Sequence, residues 1–465
     1  MRDVLAERYA STPMKAIWSP ESKVLAERKL WISLLKAQAR LGVSIPEAEI
    51  KKYERVLADV DLDSIGRRER ILLHDVKARI EEFNALAGSQ LVHLGMTSRD
   101  LTENIELFQI KDSLALLRKN YLGLIFLLNQ KATKYSHQLL VARSHNIPAQ
   151  LTTIGKRLSI YVEEMLFAFE RLENLIERLP LRGIRGPVGT STDMIEVVGS
   201  DHFSTLEASI VEELGFNRAL DSTGQIYPRS IDFEILSTLV QLASGPSSFA
   251  ITLRLMAGHG LVNEGFTENQ VGSSAMPHKM NPRSSERING LTKILRGFLT
   301  MVSETAGDQW NEGDVSCSVV RRVTIPGAFF AMDGIAQTLA SVINSLVVGE
   351  ESMSAEVESE LPFLVSSKLM LAAVAKGLGR EDAHRLVKRH AVSALKSSEI
   401  DRSRRFIEGL TQDPSIPLGE AEIDSIIQSE KLLIGEALKQ IQKVDTRVKR
   451  LTEKFPYTLD FESII

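Results

Sequence analysis

The chain has 465 residues, 43% hydrophobic and 25% charged, with a net charge of −4. This is an ordinary globular composition, long enough for two to four domain-sized units or for one elongated domain with smaller ends. The charge balance gives no reason to expect a nucleic-acid or membrane surface, so an anionic ligand would need a local basic site.

Residues 1–14 carry Arg2, Asp3, Glu7 and Arg8 with no apolar core and do not read as a signal peptide. Residues 1–97 read as shorter helices. No proline lies between Pro46 and Pro148, and long proline-free stretches of Leu, Ala, Glu, Lys and Arg favour helix. Thr97, Ser98 and Asp100 offer caps for a first long helix over roughly 99–135, with Glu103 and Glu106 favourable near its start. Its apolar stripe is Leu107, Ile110, Leu114, Leu117, Tyr121, Leu124 and Leu128. The steps of three and four residues are helical. A second stripe, from Leu151 through Leu158, Val162, Met165, Phe169 and Leu172 to Leu179, predicts a helix from Pro148 to the stop at Pro180. Residues 181–229 are rich in glycine and proline. A third long helix is expected over 230–264, a fourth after residue 282 and a fifth after Pro326. Beyond about 350 the pattern shortens again. The fold class is all-α: a long central helical bundle with a smaller helical domain at each end. The expected boundaries are 1–97, 98–350 and 351–465. The longest apolar run, 122–128, is too short to span a membrane. The single cysteine, Cys317, fits a reducing cytoplasm.

Several polar segments interrupt these helices. Residues 272–282 read Gly-Ser-Ser-Ala-Met-Pro-His-Lys-Met-Asn-Pro. Asn281 is a good N-cap and Pro282 suits the first helical position. A polar loop feeding a helix N-terminus attracts anions, and Lys279 adds a charge there. Serine, lysine and asparagine at a helix end suit a substrate carboxylate with a proton transfer beside it. His145 lies in the polar stretch 142–150, and histidine exchanges protons near neutral pH. Residues 91–104 hold His93, Thr97 and Ser98, and His74-Asp75 lies just upstream. The nine histidines show no metal-ligand spacing, and there is no G-x-G-x-x-G or P-loop. No metal or cofactor is expected.

The 272–282 segment resembles the signature loop G-S-S-x-M-P-x-K-x-N of the fumarase/aspartase superfamily. Within it, the chain resembles the adenylosuccinate lyase family over nearly its whole length. Residues 142–150 resemble a second conserved region, and 93–100 resemble its H-x-G-x-T-S-x-D. His74-Asp75 resembles R-H-D-V, with Leu73 in place of the arginine. Arg8-Tyr9, the Thr223-Gly224-Gln225 segment and residues 310–322 match three further segments, with Gly313 where many relatives carry arginine. The resemblance implies β-elimination of fumarate from a succinylated nucleotide. Ser273 would be the base, His145 the general acid and Glu286 the carboxylate that orients it. Lys279 and Asn281 would stabilise the dianionic intermediate. Arg8, Tyr9, His74, Asp75, His93, Thr97, Ser98 and Gln225 would contact substrate, and Ser318 and Arg322 would hold its phosphate. Argininosuccinate lyase, carboxymuconate cycloisomerase and a catalytically silent structural homologue share the signature scaffold. The Arg8-Tyr9, Gln225 and Ser318/Arg322 set weighs against the first two, and retention of Ser273, His145, Lys279 and Glu286 against the third.

The helix lengths carry one more expectation. Ser98 and Ser273 should lie some 50 Å apart within one chain. A small substrate then requires a homotetramer in which each active site is shared between subunits.

Overall fold

In the computed structural model the described residues are 3–265, 276, 278–397, 401–431 and 434–463. Five long helices form the centre: Ser98–Lys134, Ile154–Arg178, Ser230–Gly258, Arg283–Ser303 and Cys317–Ser345. They are numbered first to fifth below. The first buries Leu107, Ile110, Leu114, Leu117, Tyr121, Leu124 and Leu128, the stripe read from its periodicity. The second does the same with Leu158, Val162, Met165, Phe169 and Leu172. These residues belong to one continuous apolar core. A 37-residue helix is about 55 Å long, so the bundle is much longer than it is wide.

The all-α expectation holds, apart from two short antiparallel ribbons, and four local expectations are corrected. The second helix begins at Ile154, not Pro148. Residues 139–153 instead form a β-hairpin, with Leu139 opposite Thr153 and Ser144 opposite Ile147. His145 and Asn146 turn it, both with positive φ (52° and 63°), as a two-residue hairpin turn of the right twist requires. The third helix stops at Gly258, and Val262–Asn263 then pairs with Val347–Val348. The fifth starts at Cys317 and carries Pro326 inside it. Packing of its nearly all-buried second half outweighs the lost bond, which leaves the Arg322 carbonyl without its usual donor. At the fourth helix Pro282, not Asn281, is the N-cap. The carboxylate of Glu264 accepts from the N–H groups of Ser284 (3.0 Å) and Ser285 (2.6 Å). It occupies part of the anion-binding helix end expected there.

Of the shorter helices, Thr12–Ile17 and Pro20–Arg40 pack on the first long helix, Val4–Arg8 packs on the fifth, and Glu47–Arg55, Leu62–Leu72 and Asp75–Ala87 build outward from Pro20–Arg40. A second apolar cluster gathers Val357, Leu369, Phe406, Leu410 and Ile423, and Val141 and Leu151 of the hairpin join it. The last helix, Ala437–Lys454, returns to the bundle through Val444 and Val448. The following segment runs along the first helix, with Thr458 N–H donating to the Lys119 carbonyl at 3.3 Å. At its end, Glu462 accepts from the Thr12 N–H (2.9 Å). No helix among the described residues is long and apolar enough to cross a membrane.

Candidate active site

The first, third and fifth helices end together around a web of buried ions. Asp100 anchors it. One carboxylate oxygen accepts from the Thr97 N–H at 2.8 Å, closing the first turn. The other accepts from the N–H groups of Arg185 (2.8 Å) and Gly186 (3.0 Å) and pairs with the Arg182 guanidinium at 2.5 Å. Glu103 pairs with Arg229 at 2.8 Å and with Arg99 at 3.2 Å. Arg321 pairs with Asp232 at 2.8 Å and also binds Glu106 and the Tyr227 hydroxyl. Burial pushes the Glu106 carboxyl up, but Arg321 and Lys23 outweigh it and hold the pKa at about 2. Glu103 and Glu106 therefore serve as counterions, beyond the helix-dipole role their positions suggest.

A polar cavity of about 310 Å³ opens over this web. Seven of the expected substrate contacts line it: His74, Asp75, Thr97, Ser98, Gln225, Ser318 and Arg322. They come from separate segments, each positioned locally. His74 caps the helix Asp75–Ala87, its Nδ1 accepting from the Lys77 N–H at 3.2 Å. Asp75 pairs with Arg79 at 3.3 Å. Burial pushes its carboxyl up, and Arg79 with the Val76 amide more than offsets this, so its pKa is lowered. Thr97 and Ser98 open the first helix. Gln225 is fixed by its own N–H, which donates to the Glu312 carbonyl at 2.6 Å. Ser318 and Arg322 lie one turn apart on the fifth helix. An adjoining cavity of about 250 Å³ is bounded by Trp18, Pro20, Ile325 and Pro326.

His93 sits just behind. Its Nδ1 accepts from the Trp31 indole at 3.1 Å, and the two rings meet edge to face. Burial lowers its pKa to about 4, with Asp100 opposing. The imidazole is neutral and its proton is on Nε2.

The other expected residues lie elsewhere on the chain. Tyr9 packs against Gly334, and the Arg287 guanidinium lies 5.9 Å from its ring centre. Arg8 ends the helix just before it. Gly334 is about 20 Å along the fifth helix from Arg321. Glu286 ion-pairs with Arg254 of the third helix at 3.8 Å. Lys279 is exposed and Asn281 half-buried ahead of the fourth helix. His145 stands exposed at the hairpin tip, beyond the far end of the first helix. The neighbouring Arg143 and Asn146 line a cavity with Thr252, Met256 and His259, so the hairpin tip adjoins the end of the third helix. Ser273 lies outside the described residues. Within one chain the expected set is thus divided between the two ends and the middle of the bundle.

Sequence reasoning missed Lys23, Arg99, Glu106 and Arg321 as lining residues of the main cavity. Arg99 had a signal: it falls between the matched Thr97-Ser98 and Asp100, four residues before Glu103.

Comparison with known proteins gives the family. The Lyase family model matches residues 9–297, and the model for the adenylosuccinate lyase C-terminus matches residues 362–444. Adenylosuccinate lyase of Saccharomyces cerevisiae is 30% identical over 99% of this chain and 97% of that protein. The chain belongs to the adenylosuccinate lyase family. Adenylosuccinate lyase of Schistosoma mansoni is 33% identical over 95% of this chain and 93% of that protein. Among solved structures, 3-carboxy-cis,cis-muconate lactonizing enzyme from Pseudomonas putida superimposes with a TM-score of 0.84. That match covers 97% of this chain and 100% of that one, at 19% identity, and shows the shared fold. By family, the adenylosuccinate lyase relationship makes this chain a carbon–nitrogen lyase.

Proposed function

We propose that this chain eliminates fumarate from adenylosuccinate, giving AMP, and from the succinyl-aminoimidazole-carboxamide ribotide of purine biosynthesis, giving the carboxamide ribotide. The observation that best supports this reading is the cationic cavity at the start of the first helix. There Ser318 and Arg322 suit a phosphate, while Thr97, Ser98 and Gln225 offer donors to a carboxylate. The hard step is removal of a proton from the carbon beside a carboxylate. Ser273 is the base, made competent by exclusion of water. Lys279 and Asn281 stabilise the dianion, and His145 protonates the departing nitrogen, oriented by Glu286. Arg8 and Tyr9 complete the nucleotide contacts. His93 presents Nε2–H as a neutral donor, and His74 and Asp75 sit beside it.

The reading requires a homotetramer with sites shared between subunits, because its groups are spread along a 55 Å bundle. Apolar side chains left exposed on the long helices favour such an assembly: Phe167 is 65% exposed, Val319 70% and Val323 52%. The single cysteine favours the cytoplasm. Purified protein mixed with adenylosuccinate should release AMP and fumarate in equal amounts, followed by ultraviolet absorbance and by fumarate assay. Ser273→Ala should reduce turnover by about a thousandfold or more while substrate still binds. Wild-type protein that binds adenylosuccinate without cleaving it would refute the assignment.

A further inference from the structure

The main cavity carries more positive charge than its own acids neutralise. Arg229 is committed to Glu103, and Arg321 to Asp232 and Glu106. Lys23 lies 4.0 Å from the same Glu106. Asp75 is taken by Arg79. Arg99 is therefore a third claimant on Glu103, after Arg229 and Arg321. Its side chain is only 17% exposed. Arg322 forms no ion pair among the described residues. Two guanidinium groups thus face one cavity without a full counterion, an arrangement that suits a dianion bound by planar, forked donors.

Arg99 also makes the contact that links the two sides of the site. Its guanidinium donates to the Ser318 hydroxyl at 3.1 Å. Ser318 and Arg322 share a helix face, so Arg99, Ser318 and Arg322 converge on one spot. The cation cannot come from the two positions where the family resemblance places arginine. Leu73 is 89% exposed, in a left-handed helix end. Gly313 has φ +132°, a conformation L side chains rarely adopt, and an added Cβ would lie 3.0 Å from Ile226 Cγ1.

We propose that Arg99 is a phosphate-binding residue, acting with Ser318 and Arg322 on the phosphomonoester of the nucleotide and supplying charge that positions 73 and 313 lack. This deepens the function proposed above and rests on it for the identity of the nucleotide. Removing the guanidinium leaves Glu103 still paired with Arg229, so the buried carboxylate keeps a counterion.

The test compares AMP with adenosine, and both with inorganic phosphate, by titration calorimetry on wild type, Arg99→Gln and Arg99→Lys. Arg99→Gln should weaken AMP by about tenfold or more, the loss of a charge-assisted bond, and leave adenosine within about twofold. Arg99→Lys should fall between. In turnover, KM should rise with kcat nearly kept, since phosphate is held alike in ground and transition states. Equal weakening of AMP and adenosine would mean a purely structural role and would overturn the inference. AMP binding indifferent to Arg99 would overturn it and leave the proposed function standing. Arg99-dependent binding of inorganic phosphate, with no binding of AMP, would keep the subsite and overturn the nucleotide reading.

Discussion

Burial decides what His93 can do. The sequence marks it as a substrate contact, and residue type alone leaves its charge open, because free histidine titrates near 6.5. Burial removes that freedom: with Asp100 opposing and His74 and Lys77 adding to it, the pKa drops to about 4. A folded pKa below the unfolded one means that the unfolded chain binds the proton more readily. The stability is complete above pH 6.5 and is lost as pH falls through about 4. The unfolding free energy from urea titrations should decline over that window, by up to about 3 kcal/mol from this group. His93→Gln, which keeps an acceptor for Trp31, should flatten the decline. Identical pH dependence in both proteins would contradict a buried neutral His93. The Arg99–Glu103 pair is local, but the distant partners, Ser318 of Arg99 and Arg229 of Glu103, were beyond reach of the sequence. Ion pairs between residues hundreds apart, such as Arg321 with Glu106, leave no local pattern.

At the scale of elements, the long helices were legible because their apolar residues recur with helical period over many turns. Leu107 to Leu128 on the first and Leu158 to Leu172 on the second were readable without any partner. The hairpin 139–153 was not. It is a two-stranded ribbon with a bulge between Ala142 and Arg143 and a proline, Pro148, in its second strand. Such a segment has neither clean alternation nor an Asn-Gly turn. Its packing against the helix Glu350–Leu364 and the second apolar cluster, with the Arg157 guanidinium donating to the Val141 carbonyl at 3.1 Å, holds it. The close approach of the C-terminal segment to the first helix was equally hidden. A Cβ at Gly123 would lie 1.9 Å from the Thr458 carbonyl oxygen. Alanine in mid-helix is otherwise favoured by up to about 1 kcal/mol. Gly123→Ala should therefore destabilise the full chain by about 1–3 kcal/mol, through displacement of the C-terminal segment. In a chain ended after Lys454, the same substitution should be neutral or stabilising. Thermal unfolding of the four proteins reads the difference. Destabilisation of both chains alike would rule out the Thr458 contact as its cause.

For the molecule as a whole, the division of the site outweighs any single contact. His74, Thr97, Ser98, Gln225, Ser318 and Arg322 meet at one end of the bundle, while His145 tops a hairpin beyond the other end. About 55 Å of helix separates them, and a nucleotide is far shorter. Under the proposed function, chemistry that needs both groups draws them from different chains, and antiparallel packing of neighbours in closed symmetry would bring them together. That claim is tested most directly by complementation. Arg322→Glu reverses the charge in the cavity, and His145→Ala removes the acid, so each protein alone should fail to turn over adenylosuccinate. Co-expressed with different affinity tags and purified as mixed tetramers, they should recover up to about a quarter of wild-type activity, the share of sites that receive both intact groups. Mixed tetramers that form and remain inactive would place both residues in one chain's site and contradict the account.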